Sequence, residues 1–539
     1  MEVEMKKNPM EKAKLGFNSL NEDIVEKIFR RLPALSLASA ACVCKSWCQH
    51  SNRILSRPKL ASALSLNSSP DIAVREVLNK VLSEPIRPHF AIANGFGNDS
   101  GLQKTYNFLA RKLGSRTPLI VTWTSGIMGR DAITNEFKEV MGGDDTIDGD
   151  NEKHVETNSG ILLTVGFLPG LKVEAIPMLR PLKKPLQGSI IDALVLDIRI
   201  YTASASASAS ACSSPIGIIM FGSRGIDLKP VMEKLDYAMS KETVIAGDEK
   251  AEFLYRSGIE SRNFCGSTNY ISDAIALVFA RDRYKPDGIG EIQFQAMLSS
   301  GVSAIGPRYK AVSAKAMSRG CTTWLTARRE GQHEILDGER ILSDINDELE
   351  NRIGGTDLYI GVTKQRKCFI GTEKSKLTRS LAFHAVTGAD EEHLYVYGTG
   401  IRTADYFQFY HSDQSAALSS CNDISMKLRN LKLEWCSKKC HNPSDHANEC
   451  KKECIGGFIF SCCGRGETFF NRRNVDSSPF LENFPEVPLA GMFCGGEIGR
   501  GFTILNAHEN QEESSSNCSL HVFSTVYLIL TYTRRPLQN

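Results

Sequence analysis

No stretch of this chain is long and apolar enough to cross a bilayer as a helix, which takes roughly eighteen consecutive apolar residues. The best run, 522–530, is interrupted by Ser524 and Thr525 and suits a buried strand better. The first sixteen residues, MEVEMKKNPMEKAKLG, are charged and carry no apolar signal core. An excess of one charge is missing too. Sixty-four Lys and Arg stand against 62 Asp and Glu, a net charge of +2 over 539 residues, which argues against a polyanion-binding surface as the main business. Catalytic signatures are lacking as well: no G-x-S-x-G, no P-loop lysine, no H-E-x-x-H and no G-x-G-x-x-G after a strand. His384, His393 and His411 are candidate bases by residue type only, so an enzyme in its own right is not expected.

What is present is ordinary folded-protein composition, 42% hydrophobic and 23% charged, over a length that predicts two or three domains. Sixteen cysteines without a secretion signal read as thiols in a reducing compartment, cytoplasm and/or nucleus.

Residues 1–16 read as a disordered leader. Residues 17–57 then pack two short amphipathic helices closely together. Ser19 and Glu22 have capping-box spacing. Ile24, Val25, Ile28, Phe29 and Leu32 recur at helical intervals until Pro33 stops the run. Ser36 is a plausible second N-cap, followed by Leu37, Ala40, Ala41, Val43, Cys44 and Trp47. About forty residues cannot bury a satisfactory core unaided, so such a unit leans on a partner or on a following domain. Leu20, Ile24, Ile28, Leu32-Pro33, Leu35 and the closing Val43-Cys44-Lys45-Ser46-Trp47 resemble an F-box, with Leu20-Asn21 where the usual opening is Leu-Pro. The resemblance implies that Leu20, Ile24, Ile28, Leu32, Pro33, Leu35, Val43 and Trp47 dock on a Skp-type adaptor of an SCF-type ubiquitin ligase. The other reading is an ordinary helical hairpin with a buried Trp.

Residues 58–87 read as a helical linker, with one helix over 71–82 before Pro85 and Pro88. From 88 the pattern turns β-rich. Strands are predicted over 90–93, 119–123, 160–167, 173–176, 193–200, 216–221 and 274–279, with helices over 101–113 and 228–239. A second block, 311–539, carries helices over 339–352 and 412–435. Its strands are expected over 358–362, 394–397, 456–462 and 520–533. The fold class is therefore α+β: a small helical unit, then two β-rich mixed domains with mostly antiparallel sheets. The acidic, Gly-rich 142–159, the stretch 202–214 (TASASASASACSS) and the polar 511–517 are expected as disordered loops.

Two segments of the second block stand out. Residues 458–466 (FIFSCCGRG) run a strand into a Gly-Arg-Gly turn, and 488–499 (PLAGMFCGGEIG) follow about twenty residues on. Together with Asn483-Phe484-Pro485 they resemble the FIST C-terminal domain, a module that binds small ligands in bacterial sensory proteins. By position, and by 216–225 (IGIIMFGSRG), the block 88–310 resembles its FIST N-terminal companion. The resemblance implies a pocket at Cys463, Gly464, Arg465, Gly466, Cys494, Gly496, Glu497 and Gly499. Glycines there would permit positive φ and close backbone approach. Arg465 and Arg500 would grip an anion and Glu497 an amine. Alternatively, the glycines only make tight turns and Arg465 ties to Glu497. Separately, Cys436, Cys440, Cys450 and Cys454, with His441 and His446, have spacing that could chelate zinc, or are incidental on a loop. No cofactor or metal is expected. The expected partners are a Skp-type adaptor, a cullin-RING ligase and unknown protein substrates, with no nucleic acid and no membrane. A small-ligand sensor whose helices serve as a scaffold is the alternative.

Overall fold

The computed structural model of the protein describes residues 21–97, 101–142, 159–206, 214–263, 269–316, 322–349, 357–437, 452–501 and 519–534. The leader, the centres of loops 142–159 and 202–214, and 511–517 lie outside these. The chain divides into two compact units, one formed by residues up to Arg57 together with Leu82–Arg87, the other by all the rest.

The smaller unit has three helices where the sequence predicts two: α1 (Glu22–Phe29), α2 (Ala34–Ala41) and α3 (Lys45–Ile54). Apolar periodicity runs unbroken from Leu37 to Trp47, so it conceals the break at Cys42–Cys44. There the extended backbone of Cys44 starts a new helix. The caps differ too: Asn21 caps α1 through its side chain, which accepts from Asp23 N at 3.3 Å, and Pro33 stands at the N-cap of α2. Val25, Phe29, Leu37 and Ala40 form the core, with Leu32, Trp47, Ile54 and Leu55 packed around them. The Phe29 and Trp47 rings meet edge to face at 5.2 Å.

The larger unit builds three sheets and a barrel. The first sheet runs Lys59–Ser65, Gly160–Phe167, Phe90–Phe96, Leu119–Trp123, Glu252–Arg256. The second runs Ser519–His521, Glu497–Arg500, Val244–Asp248, Gly217–Gly222, Tyr270–Arg281, Leu171–Pro181. The third runs Glu291–Ser299, Thr525–Thr533, Lys452–Cys462, Leu489–Cys494, Gly126–Arg130, Phe137–Met141. Pairing is antiparallel except between Phe90–Phe96 and Leu119–Trp123, Gly217–Gly222 and Val244–Asp248, and Lys452–Cys462 and Leu489–Cys494, each joined through helix. One apolar core joins the three sheets: Phe90 meets Phe279 at 5.3 Å, Phe279 meets Phe294 at 4.9 Å, and Phe221 faces Phe460. Helices cover the far sides, Gly188–Ala205 and Lys229–Ala238 on the second sheet and Gln414–Ser437 on the third.

The predicted strand at 193–200 lies inside helix Gly188–Ala205. Its density of β-branched residues mimics a strand, yet Ile191, Leu194, Val195, Ile198, Tyr201 and Ala205 are the buried positions, at helical spacing. The predicted final strand is two, Ser519–His521 and Thr525–Thr533, parted where Phe523 takes φ 46. The predicted linker 58–87 contributes a strand and helix Pro70–Val81 to the larger unit. The boundary at 310/311 falls inside strand Val302–Ala316, and strands from both sides of it share the second and third sheets. A closed barrel of Val302–Ala316, Thr322–Arg329, Leu394–Tyr397, Lys376–Ala389, Leu358–Cys368 and Tyr406–Ser412 completes the unit. Its interior is filled by Ile305, Tyr309, Ile360, Val362, Phe407 and Phe409, with Ile341 and Ile345 from helix Gly338–Leu349.

Candidate functional site

In the helical unit, the side chains that hold the helices together are separate from those left free. Ile24 (46% exposed), Ile28 (37%), Leu35 (75%) and Val43 (63%) show their apolar surfaces to solvent, as does Pro33. Leu32 and Trp47, counted as contacts from the sequence, are half-buried against the core. Leu20 lies outside the described residues. Four exposed aliphatic side chains within twenty residues are a patch of the kind that marks an interaction site.

In the larger unit, a cavity of about 300 Å³ opens at the carboxyl ends of two of the parallel strand pairs. Such ends are where open sheets with parallel strands place their ligands. Strand Gly217–Gly222 leads to Gly225, Asp227 and Lys229, and Val244–Asp248 to Glu249 and Lys250. Strand Lys452–Cys462 leads to Cys463 and Gly464, and Leu489–Cys494 to Gly495 and Gly496. The barrel contributes Tyr359, Phe383, His384 and Tyr397, and Phe523 and Glu497 complete the wall.

Of the sequence-derived pocket residues, Cys463, Gly464, Gly496 and Glu497 therefore meet on one wall. Arg465, Gly466, Cys494 and Gly499 are not part of it. Arg465 is fully buried, paired with Asp476 at 2.7 Å, and donates to the Phe523 carbonyl at 3.0 Å. Arg500 pairs with Asp236 at 3.0 Å and donates to the Met239 carbonyl. Neither guanidinium is available to a ligand, and Arg465 ties to Asp476 rather than to Glu497. Gly466 stands at the N-cap of the short helix Glu467–Phe470, Gly499 pairs with Ala246, and the buried Cys494 accepts from Cys463 N through its carbonyl at 2.8 Å. The glycines of these motifs are required by contact rather than by φ. A Cβ at Gly464 would stand 2.7 Å from the Phe523 ring, and one at Gly496 2.8 Å from Glu249 Oε2.

Three wall residues shape the chemistry. Glu497 Oε2 accepts from Ser524 Oγ at 2.8 Å, while Oε1 has no hydrogen-bond partner among the described residues. Burial pushes its carboxyl well above the usual range, so it is not the fixed anion that an amine would need. His384 Nδ1 lies 3.0 Å from the Tyr397 carbonyl and so carries the proton. Burial, reinforced by Lys229 and Lys364, pushes the ring down to about 2, and Nε2 has no hydrogen-bond partner among the described residues. The Cys463 thiol is held below its ordinary value, chiefly by a hydrogen bond from Cys462, with Lys250 adding to it. No histidine ring hydrogen-bonds any of these cysteines among the described residues, so no nucleophile–base pair is assembled. Lys229, Glu249 and Lys250 were missed from the sequence, and His384 was named there by residue type only. The one local signal was a strand end followed by Gly225 and two charged residues.

Of the candidate zinc ligands, Cys440, Cys450 and the Cys436 side chain lie outside the described residues. Cys454 is half-buried, its thiol within 3.8 Å of the Gly456 carbonyl. Among the described residues no three metal-ligating side chains gather.

Comparison with known proteins gives two family matches, an F-box domain over residues 17–57 and a FIST C domain over 358–500. The chain is 44% identical over 519 residues to an F-box/LRR-repeat protein of Arabidopsis thaliana, covering 96% of this chain and 93% of that one. Over 44 residues it is 48% identical to F-box only protein 22 of Homo sapiens and of Pongo abelii, 8% of this chain and 11% of theirs. With its F-box helices and its FIST C domain, the chain belongs to the F-box proteins.

Proposed function

We propose that this protein is a substrate-recognition subunit of an SCF-type ubiquitin ligase, and that it catalyses nothing itself. It holds a target near a charged ubiquitin-conjugating enzyme and so raises the effective concentration of the target lysine. The observation that carries this reading is the exposed set Ile24, Ile28, Pro33, Leu35 and Val43, apolar side chains that the helical unit does not use for its own core. These would dock on a Skp-type adaptor, which joins the cullin-RING ligase. The FIST C domain and the block 88–310, which we take as its N-terminal companion, would select targets for proteasomal degradation. That pairing is supported by the parallel strand pairs joined through helix on both sides of the chain. The described cysteines are free thiols, which supports the cytoplasm or nucleus. The test is co-purification of adaptor and cullin with the full chain and with Ile28→Asp/Leu35→Asp. The expected result is loss of both partners in the variant without a change in thermal stability. Undiminished recovery would remove the reading.

The cavity favours a second reading, in which a small ligand tunes target choice. Its support is two buried wall atoms without hydrogen-bond partners among the described residues, Glu497 Oε1 and His384 Nε2. A saturable thermal shift with a small metabolite, lost in Lys250→Ala, is expected; a shift unchanged by that substitution speaks against this site.

A further inference from the structure

The six barrel strands carry three basic residues on Val302–Ala316, two on Thr322–Arg329, three on Leu358–Cys368 and two on Lys376–Ala389, and no aspartate or glutamate on any of them. Lys364 points among the interior positions and Arg366 is tied to Asp405. On the outer face, pairing across five strands lines up one band. Arg328 stands directly opposite Lys310, Lys310 opposite Tyr406, Tyr406 opposite Thr363, and Thr363 opposite Leu381. Directly opposed residues share a face, so their side chains are neighbours about 5 Å apart at Cβ. At about 4.8 Å per strand the band is about 19 Å long, the reach of roughly six extended residues.

Two features of the band mark it as a surface waiting for a partner. Lys310 and Arg328 are like charges in direct cross-strand opposition, an arrangement that destabilises a sheet. Neither has an ion pair among the described residues, and Glu330, two residues along from Arg328, is engaged by Arg308 at 3.6 Å. At the far end Leu381 is 40% exposed, and Leu377 two positions along the same strand face is 61% exposed. Because the barrel is closed, it offers no free strand edge in this region, so recognition here is by side chains.

We propose that this band docks an acidic segment of a partner protein, its carboxylates on Lys310, Arg328 and Arg308 and an apolar anchor on Leu381 and Leu377. A protein segment fits better than a nucleic acid. Arg308 and Lys310 both stack on the Tyr406 ring, at 4.8 and 5.3 Å, so the ring's face is taken from a base, and the exposed anchors are aliphatic. The docking stands whether or not the helical unit recruits a ligase.

The test is fluorescence anisotropy of the full chain with a fluorescein-labelled fourteen-residue peptide of Asp, Glu and Leu. Lys310→Glu/Arg328→Glu should weaken binding at least tenfold. Lys104→Glu/Lys241→Glu, the same charge change on exposed lysines elsewhere, should weaken it less than twofold. Lys310→Glu alone turns a repulsive pair into an attractive one and should raise the melting midpoint while losing the peptide. Equal weakening by both double variants would reduce the effect to net charge and overturn the proposal. So would a fall in the midpoint of Lys310→Glu, or a single-stranded oligo-dT that binds tighter than the peptide and loses affinity in the same variant.

Discussion

At the scale of single residues, charged groups that the sequence made conspicuous turned out to be structural, and quiet ones to matter. Arg465 and Arg500 look like ligand-gripping cations because they sit in glycine-rich turns, but burial forces each to take a carboxylate of its own. Only the fold reveals Asp476 and Asp236 as those carboxylates. The buried acids make a prediction. Burial holds Glu139 and Asp248 protonated up to about 7, against ordinary values of about 4. A carboxyl raised in the folded state contributes its stability fully at acid pH, and that contribution is lost as pH rises through about 7. Buried His384 titrates in the opposite sense, so the informative quantity is a difference. Relative to wild type, the urea midpoint of Glu139→Gln should improve from pH 5 to about pH 7 and level off by pH 8. A difference that is flat across that window would show that Glu139 is ionised throughout.

Elements were legible where a short apolar run was fenced by turn residues. Strands Leu119–Trp123, Gly160–Phe167 and Leu394–Tyr397 fall where the sequence puts them. Most of the barrel was not legible. Val302–Ala316 and Lys376–Ala389 mix Ser, Ala, Thr and Lys with few large apolar residues, since only one face of each is buried. The cavity could not be read either, because it joins segments more than a hundred residues apart. In the helical unit, the structure separates two roles that periodicity merges. Phe29 is core, at 1% exposure, and Ile28 beside it is surface. Phe29→Ala should cost about 3 to 5 kcal/mol, more than three short helices can lose, and hydrogen exchange of the full chain should show residues 21–57 unprotected while the sheets keep their protection. Retained protection in that segment would mean the unit is stabilised from elsewhere.

The whole molecule is interleaved rather than laid out in sequence order. Hairpin Gly126–Met141 extends a sheet whose other strands come from beyond residue 290, and Glu497–Arg500 is paired with Val244–Asp248. A fragment ending at residue 310 therefore lacks strands from the second and third sheets, and 58–310 expressed alone should show no cooperative thermal transition where 58–539 shows one. A sharp transition in the fragment would refute this. The same interleaving sets a clock on synthesis. Thr525–Thr533 is a central strand, with Glu291–Ser299 on one side and Lys452–Cys462 on the other. The ribosome delivers it after nearly everything it must hold together. Until then the nascent chain waits with a gap in its sheet and apolar edges exposed, in the keeping of chaperones. Any product cut short before residue 525 stays in that open state, so a protein proposed here to mark others for destruction has truncated forms that are themselves natural clients of quality control.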